Sequence, residues 1–173
     1  MKAHTPRRLQ HGVSLIEVLI ALLVLAIGVL GFAGLQMASL NQSTAANHRV
    51  AAVLIAQDAI ERMELNSAPA PAARDRYLNA SWGAGTVGGS PSSSCIGSAC
   101  TSEGIANWDI AQLTWQAANQ LPAGRVAASE CAFNSRLTCV VVSWDGDLPD
   151  ACMDSSGIDA STDSNCFVLE VAR

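Results

Sequence analysis

Aromatic side chains are scarce, with one Tyr, three Phe and four Trp among 173 residues. So few rings argue against a base-stacking platform for single-stranded nucleic acid. Charge is thin as well, at 14% of residues, and three of the ten basic residues (Lys2, Arg7 and Arg8) precede residue 13. Without residues 1–12, seven basic residues face fifteen acidic ones, a balance of -8. A phosphate-binding groove needs clustered Lys and Arg, so nucleic acid is not expected as a partner. Histidine is rarer still: beyond residue 12 only His48 remains. There is no GxSxG elbow, Walker loop or HExxH pair, and a Ser or Cys nucleophile would lack its usual base. Neither a catalytic residue nor a cofactor is expected. The length excludes a large multidomain enzyme and suits one compact domain plus an appendage.

What the chain does have is a long apolar run. Between residues 13 and 47 only Glu17 is ionisable, and residues 18–35 are unbroken apolar or glycine positions. At about 1.5 Å per residue that run spans roughly 27 Å, close to the hydrocarbon thickness of a bilayer. Because the basic residues precede it, residues 1–12 are expected in the cytoplasm and the chain after about residue 40 outside. A secretory signal peptide has a shorter apolar core and ends in a small-residue cleavage site. A plain anchor fits the length but leaves Glu17 unexplained, since a carboxylate in the bilayer is costly. A buried core helix would not explain the basic leader.

All six cysteines (Cys95, Cys100, Cys131, Cys139, Cys152 and Cys166) fall in the translocated part. An even count on the oxidising side reads as three disulfides, whereas zinc would need paired CxxC spacing and histidines. Cys131 and Cys139 are symmetric about Ser135 in an expected hairpin, and Cys95 with Cys100 and Cys152 with Cys166 would complete an all-local pairing. Six cysteines allow many connectivities, and spacing does not select among them.

Helical character continues past the apolar run, with no Pro or Gly between Leu35 and Pro69. Val50, Val53, Leu54, Ile60 and Met63 recur at near-helical steps, while Gln57, Asp58, Glu61, Arg62 and Glu64 cover the other side. One helix over residues 13–66 is expected, its upper half amphipathic. Gly28, Gly31 and Gly34 interrupt it at a cost of up to about 1 kcal/mol each relative to Ala; one reading is close helix packing, since small residues let backbones approach in membranes.

Residues 67–104 read as a linker-like region, with Pro69 and Pro71 followed by a Gly/Ser-rich loop over residues 83–104. Over residues 105–121 two adjoining stripes, Trp108, Ala111, Trp115 and Ala118 beside Ile110, Leu113, Ala117 and Leu121, give a core-facing helix stopped by Pro122 and Gly124. Both tryptophans are expected in the core. Residues 125–133, 137–144 and 166–173 read as three antiparallel strands, so the head is α+β, a helix laid on a small sheet. The loop between Asp145 and Cys166 carries Asp145, Asp147, Asp150, Asp154, Asp159 and Asp163 without a base. It departs from EF-hand spacing and reads as a solvated acidic loop, with no metal site expected.

The leader Arg7-Arg8-Leu9-Gln10-His11-Gly12, followed by Val13-Ser14-Leu15-Ile16-Glu17 and the apolar run, resembles the class III signal of type IV prepilins. The resemblance implies that a membrane prepilin peptidase cuts after Gly12 and methylates the new amine of Val13, and that Glu17 registers one subunit against the next. Cutting on the cytoplasmic side keeps the apolar helix in the bilayer. It also creates a cationic amine that a neighbour's Glu17 can pair with, recovering part of the carboxylate's desolvation cost. The family implies a lollipop: a leader (1–12), a transmembrane and assembly half-helix (13–40), an amphipathic half-helix (41–66) and a disulfide-bonded α+β head (67–173). It also suggests that Gly28, Gly31 and Gly34 form a segment that loosens on leaving the bilayer.

Residues 21–36, Ala56-Gln57-Asp58-Ala59-Ile60-Glu61-Arg62-Met63 with Asn66, and the stretch from Trp108 to Gly124 are similar to the PilV-type minor pilins. This implies other minor pilins, the major pilin, the assembly ATPase and the inner-membrane assembly platform as partners. It also implies passage from the inner membrane, with the head periplasmic, to a cell-surface fibre serving twitching motility, adhesion or DNA uptake. A type II secretion minor pseudopilin shares the leader and helix and is the alternative. An anchored extracytoplasmic enzyme or Ca²⁺-binding protein is the alternative of another class.

Overall fold

The computed structural model describes residues 12, 14–67, 70–79, 82–91, 95–97, 99–159, 161 and 164–172. The chain divides into two compact units, Met1–Thr44 and Ala45–Arg173. Helix α1, Leu15–Ser67, is 53 residues long and contributes to both.

Among the described residues of the first unit, none covers α1. The described side chains from Ser14 to Thr44 are exposed, including Leu15, Leu30 and Leu35. The helix is long and apolar enough to cross a membrane, and its most apolar stretch is not buried within the chain. Leucine, alanine and β-branched residues without proline sustain the helical ladder, and α1 continues unbroken through Gly28, Gly31 and Gly34.

The second unit adds α2 (Pro71–Asn79), α3 (Ser102–Gln120), β1 (Arg125–Cys131) and β2 (Asn134–Ser143) to the upper part of α1. A 3-10 turn at Pro149–Cys152 follows, then β3 (Met153–Asp154), β4 (Gly157–Ile158) and β5 (Cys166–Ala172). The main sheet is antiparallel in the order β1-β2-β5, and β3 pairs only with β4. In the central strand every residue from Thr138 to Ser143 is buried, as expected where both faces of a sheet are covered. Val126, Ala128, Val140, Val142, Phe167 and Leu169 join the helices in the larger core. Cys131, Cys139, Val141, Cys152, Cys166 and Val168 belong to a second, smaller cluster. The disulfides are Cys95–Cys100, Cys131–Cys139 and Cys152–Cys166. Cys139 stands opposite Ser129, and Cys131 meets Asn134 beyond a register shift after Glu130.

Three sequence expectations are corrected. First, residues 67–104 are not a plain linker. Proline at the first helical position favours a start at Pro71, and α2 buries Ala73 and Tyr77. The glycine-rich stretch is then fastened to α3: Asn119 accepts from Gly88 N at 2.7 Å and donates to Thr86 O at 3.0 Å, while Trp115 Nε1 donates to Gly88 O at 3.1 Å. Second, α1 buries only part of its expected apolar stripe: Met63 is in the core, but Val50 and Leu54 are not. Its buried stripe is Ala52, Ile55, Ala56, Ala59, Met63 and Asn66, whereas Val50 and Leu54 are each 58% exposed. Small alanines let the rest of the core approach the helix backbone closely, so the contact face lies where hydrophobic size is least. Third, Trp108 and Trp115 are only half-buried; Ala106, Leu113 and Ala117 supply the core side of α3.

Helix α3 begins at a Thr101 cap whose Oγ1 accepts from Gly104 N at 3.1 Å, satisfying an otherwise free backbone donor. Beyond its end, a Cβ at Gly124 would lie 2.1 Å from Ala117 O. Gly124→Ala is therefore expected to destabilise the chain by about 1–3 kcal/mol through overpacking. Gly83→Ala, where a Cβ meets nothing within 4 Å, should leave stability unchanged. Thermal unfolding of the detergent-solubilised chain measures both; equal unfolding temperatures would contradict this packing.

Candidate functional site

The N-terminal segment contains the residues assigned to processing and assembly. Gly12 is exposed and precedes α1; Val13 and residues 1–11 lie outside the described residues. Ser14 O accepts from Glu17 N at 3.0 Å and from Val18 N at 3.3 Å, forming the first turn. Glu17 is exposed within that turn, where a negative charge complements the unpaired amides at a helix N-terminus. In this position the carboxylate is available to another molecule while favouring the helix that carries it. Around Gly28, Gly31 and Gly34 an added Cβ would meet nothing within 4 Å, so close packing at these glycines is not realised within the chain.

The second unit holds a polar network absent from the sequence reading. Arg62 donates from Nε to Asp58 Oδ1 at 2.7 Å and from Nη1 to Asp109 Oδ1 at 3.1 Å. The Tyr77 hydroxyl donates to Asp109 Oδ2. Asn66 Nδ2 donates to Tyr77 Oη at 3.2 Å and to Ser102 O at 2.8 Å. The network thus joins α1, α2 and α3. Asp58 raises the Arg62 pKa further above its ordinary value through their hydrogen bond, against the opposing effect of burial. Burial, reinforced by the hydrogen bond to Asp109, also pushes the Tyr77 phenol upward. The sequence signals were the four-residue spacing of Asp58 and Arg62 and the single tyrosine in a proline-started segment. The pairing with Asp109, 47 residues away, has no local signature.

The acidic loop uses several carboxylates on its own backbone. Asp147 Oδ2 accepts from Asn165 N at 3.0 Å, Asp154 Oδ1 from Ser156 N at 2.7 Å, and Asp159 Oδ1 from Ser161 N at 3.0 Å. Hydrogen bonds from Ser156 hold the Asp154 carboxyl below its ordinary pKa. Asp163 lies outside the described residues. Among the described residues no group of three or more His, Cys, Asp or Glu gathers in a metal-holding arrangement.

An exposed apolar helix opening on a glycine and a first-turn glutamate, ahead of a disulfide-bonded α+β head, has the construction of an anchored assembly subunit. Residues 7–33 match the prokaryotic N-terminal methylation motif. Residues 34–111 match the Tt1218-like family, type IV pilin Tt1218. No curated protein and no solved structure matches the chain. These consecutive matches support a type IV pilin. The matches point to a structural, non-enzymatic protein, and the methylation motif implies processing by a prepilin peptidase and assembly with other pilins.

The buried tyrosine gives a pH-dependent test. Tyr77→Phe removes one donor from Asp109 and should cost about 1–2 kcal/mol near neutral pH. Because folding raises the phenol pKa, its contribution is complete below the ordinary value of about 10 and is lost as pH rises beyond it. Chemical unfolding from pH 8 to 11 should therefore show a steeper alkaline loss in the parent chain than in Tyr77→Phe. Parallel curves would contradict a buried, neutral Tyr77.

Proposed function

We propose that the chain is a minor pilin of the PilV kind, primed in the inner membrane and incorporated into a type IV pilus. The pilin part of this reading is supported by the methylation-motif match over residues 7–33, followed from residue 34 by the pilin match, on a helix whose apolar side chains are exposed. In this reading residues 1–12 are a leader removed by prepilin peptidase between Gly12 and Val13, and Val13 receives the methyl group. Residues 13–40 hold the subunit in the bilayer with the leader cytoplasmic, residues 41–66 form the amphipathic part of the helix, and residues 67–173 form the periplasmic head.

The mechanism follows from electrostatics in a poor solvent. An isolated carboxylate entering an apolar layer has a large desolvation cost, so Glu17 favours a neighbour that supplies a cation, such as a processed N-terminal amine. The apolar side chains around Glu17 provide the non-directional contact, and the ion pair fixes longitudinal register. Gly28, Gly31 and Gly34 lower the cost of local unwinding during transfer from bilayer to fibre. Other minor pilins, the major pilin and the inner-membrane platform are the assembly partners.

Affinity purification of the full chain from native membranes, together with mass spectrometry of sheared surface fibres, tests the pilus assignment. Co-purification with pilus components and recovery from the fibres are expected. Exclusive recovery with type II secretion components would instead make it a pseudopilin. Glu17→Ala is expected to remain in membranes but to fall at least about tenfold in fibres, the loss associated with removing a favourable buried charge pairing.

A further inference from the structure

Within the Ala45–Arg173 unit, α1 leaves large apolar side chains in solvent as well as burying its alanine stripe. Val50 and Leu54 are each 58% exposed, and Leu65 is 79% exposed. Their positions, together with Gln57 and Glu61, follow successive steps of four, three, four and four residues, which keeps them on one helical stripe. Gln57 and Glu61 are exposed too. An amide and a carboxylate therefore lie between the apolar positions of this stripe. The ion pairs found among the described residues both belong to Arg62, bound to Asp58 and Asp109. The last turn of α1 contains no basic residue, although it carries Glu64, and negative charge near a helix C-terminus opposes the helix dipole.

The apolar stripe and the charge call for a partner of defined chemistry. We propose that Val50, Leu54, Glu61 and Leu65 form a docking face for the apolar-striped helix of a different pilin-type subunit that brings a lysine or arginine level with Glu61. This rests on the pilin reading above and adds a partner-selecting residue to it. Charge complementarity favours a different subunit over a second copy. An in-register copy would place Glu61 against Glu61, and the stripe formed by residues 50, 54, 57, 61 and 65 contains no Lys or Arg. Arg49 lies about 100° around the helix from Val50, and Arg62 is already engaged by two carboxylates. A polar side chain within an apolar helix seam selects register and partner because an unmatched neighbour leaves it uncompensated.

The test places a photo-reactive side chain at Leu54 or Leu65 in the full chain in native membranes. The N-methylated Val13 peptide is quantified in the same samples. The expected product is a cross-link to a different pilin-type subunit. Glu61→Arg should reduce its yield at least about tenfold and Glu61→Gln less, as expected for charge repulsion versus charge removal. Reversing the facing basic residue on the captured helix to Glu should restore the yield with Glu61→Arg. Thermal unfolding of both Glu61 variants should match the parent, because the side chain is exposed. If the chain is processed but captures itself, captures only non-pilin proteins, captures nothing or ignores Glu61→Arg, the docking proposal is overturned and the pilin reading stands. Failure of charge-reversal rescue also overturns it. A chain lacking N-methylated Val13 overturns both.

Discussion

The central physical constraint is that one α-helix has to satisfy two different environments. From Leu15 to Thr44 its apolar side chains face outward, and backbone polarity is contained within the helical ladder. An α-helix can occupy a bilayer because its hydrogen bonds are internal to the segment. Beyond Thr44 the same helix contributes Ala52, Ala56 and Ala59, each fully buried, to the core of the second unit. Large side chains at those positions would hold the other elements away; alanines admit them. The change from bulky outward residues to a narrow small-residue face equips a single element to provide both an anchor and a packing surface.

The second unit is organised around different forces on its two clusters. The larger core brings α1, α2, α3 and the sheet together, with Arg62, Asp109, Tyr77 and Asn66 satisfying polar groups that would be costly if buried alone. The smaller cluster contains the Cys131–Cys139 and Cys152–Cys166 bridges. The latter closes a 14-residue separation around the acidic loop, worth about 3 kcal/mol in the chain-entropy description. A short sheet thus gains covalent support where its apolar cluster is small.

Much of this organisation was legible in the sequence because its signals are local. The apolar run and the absence of helix breakers marked α1; Pro122 and Gly124 marked the stop after α3; and β-branched runs marked the sheet. The position of the α1 packing face was obscured because Ala52, Ala56 and Ala59 carry little hydrophobic signal, while Val50 and Leu54 carry more and remain exposed. Residues 67–104 resembled a linker by composition, yet Tyr77 and the hydrogen bonds between Asn119 and the backbone of Thr86 and Gly88 give that region distant partners. The methylation motif matched over residues 7–33 was readable because its signals, a basic leader, a glycine and an apolar run, are local. The polar network required long-range closure to bring Arg62 to Asp109.

In the proposed mechanism an unbroken helix, a first-turn charge and a disulfide-bonded head depend on one maturation event, exposure of the amine that follows Gly12. N-terminal peptide mass spectrometry on the chain from native membranes and sheared fibres, with a prepilin-peptidase-null control, tests this most directly. The expected peptide begins at N-methylated Val13 and disappears in the null strain. An intact Met1 start, or a start beyond residue 35, would contradict the assembly mechanism built on Gly12, Val13 and Glu17.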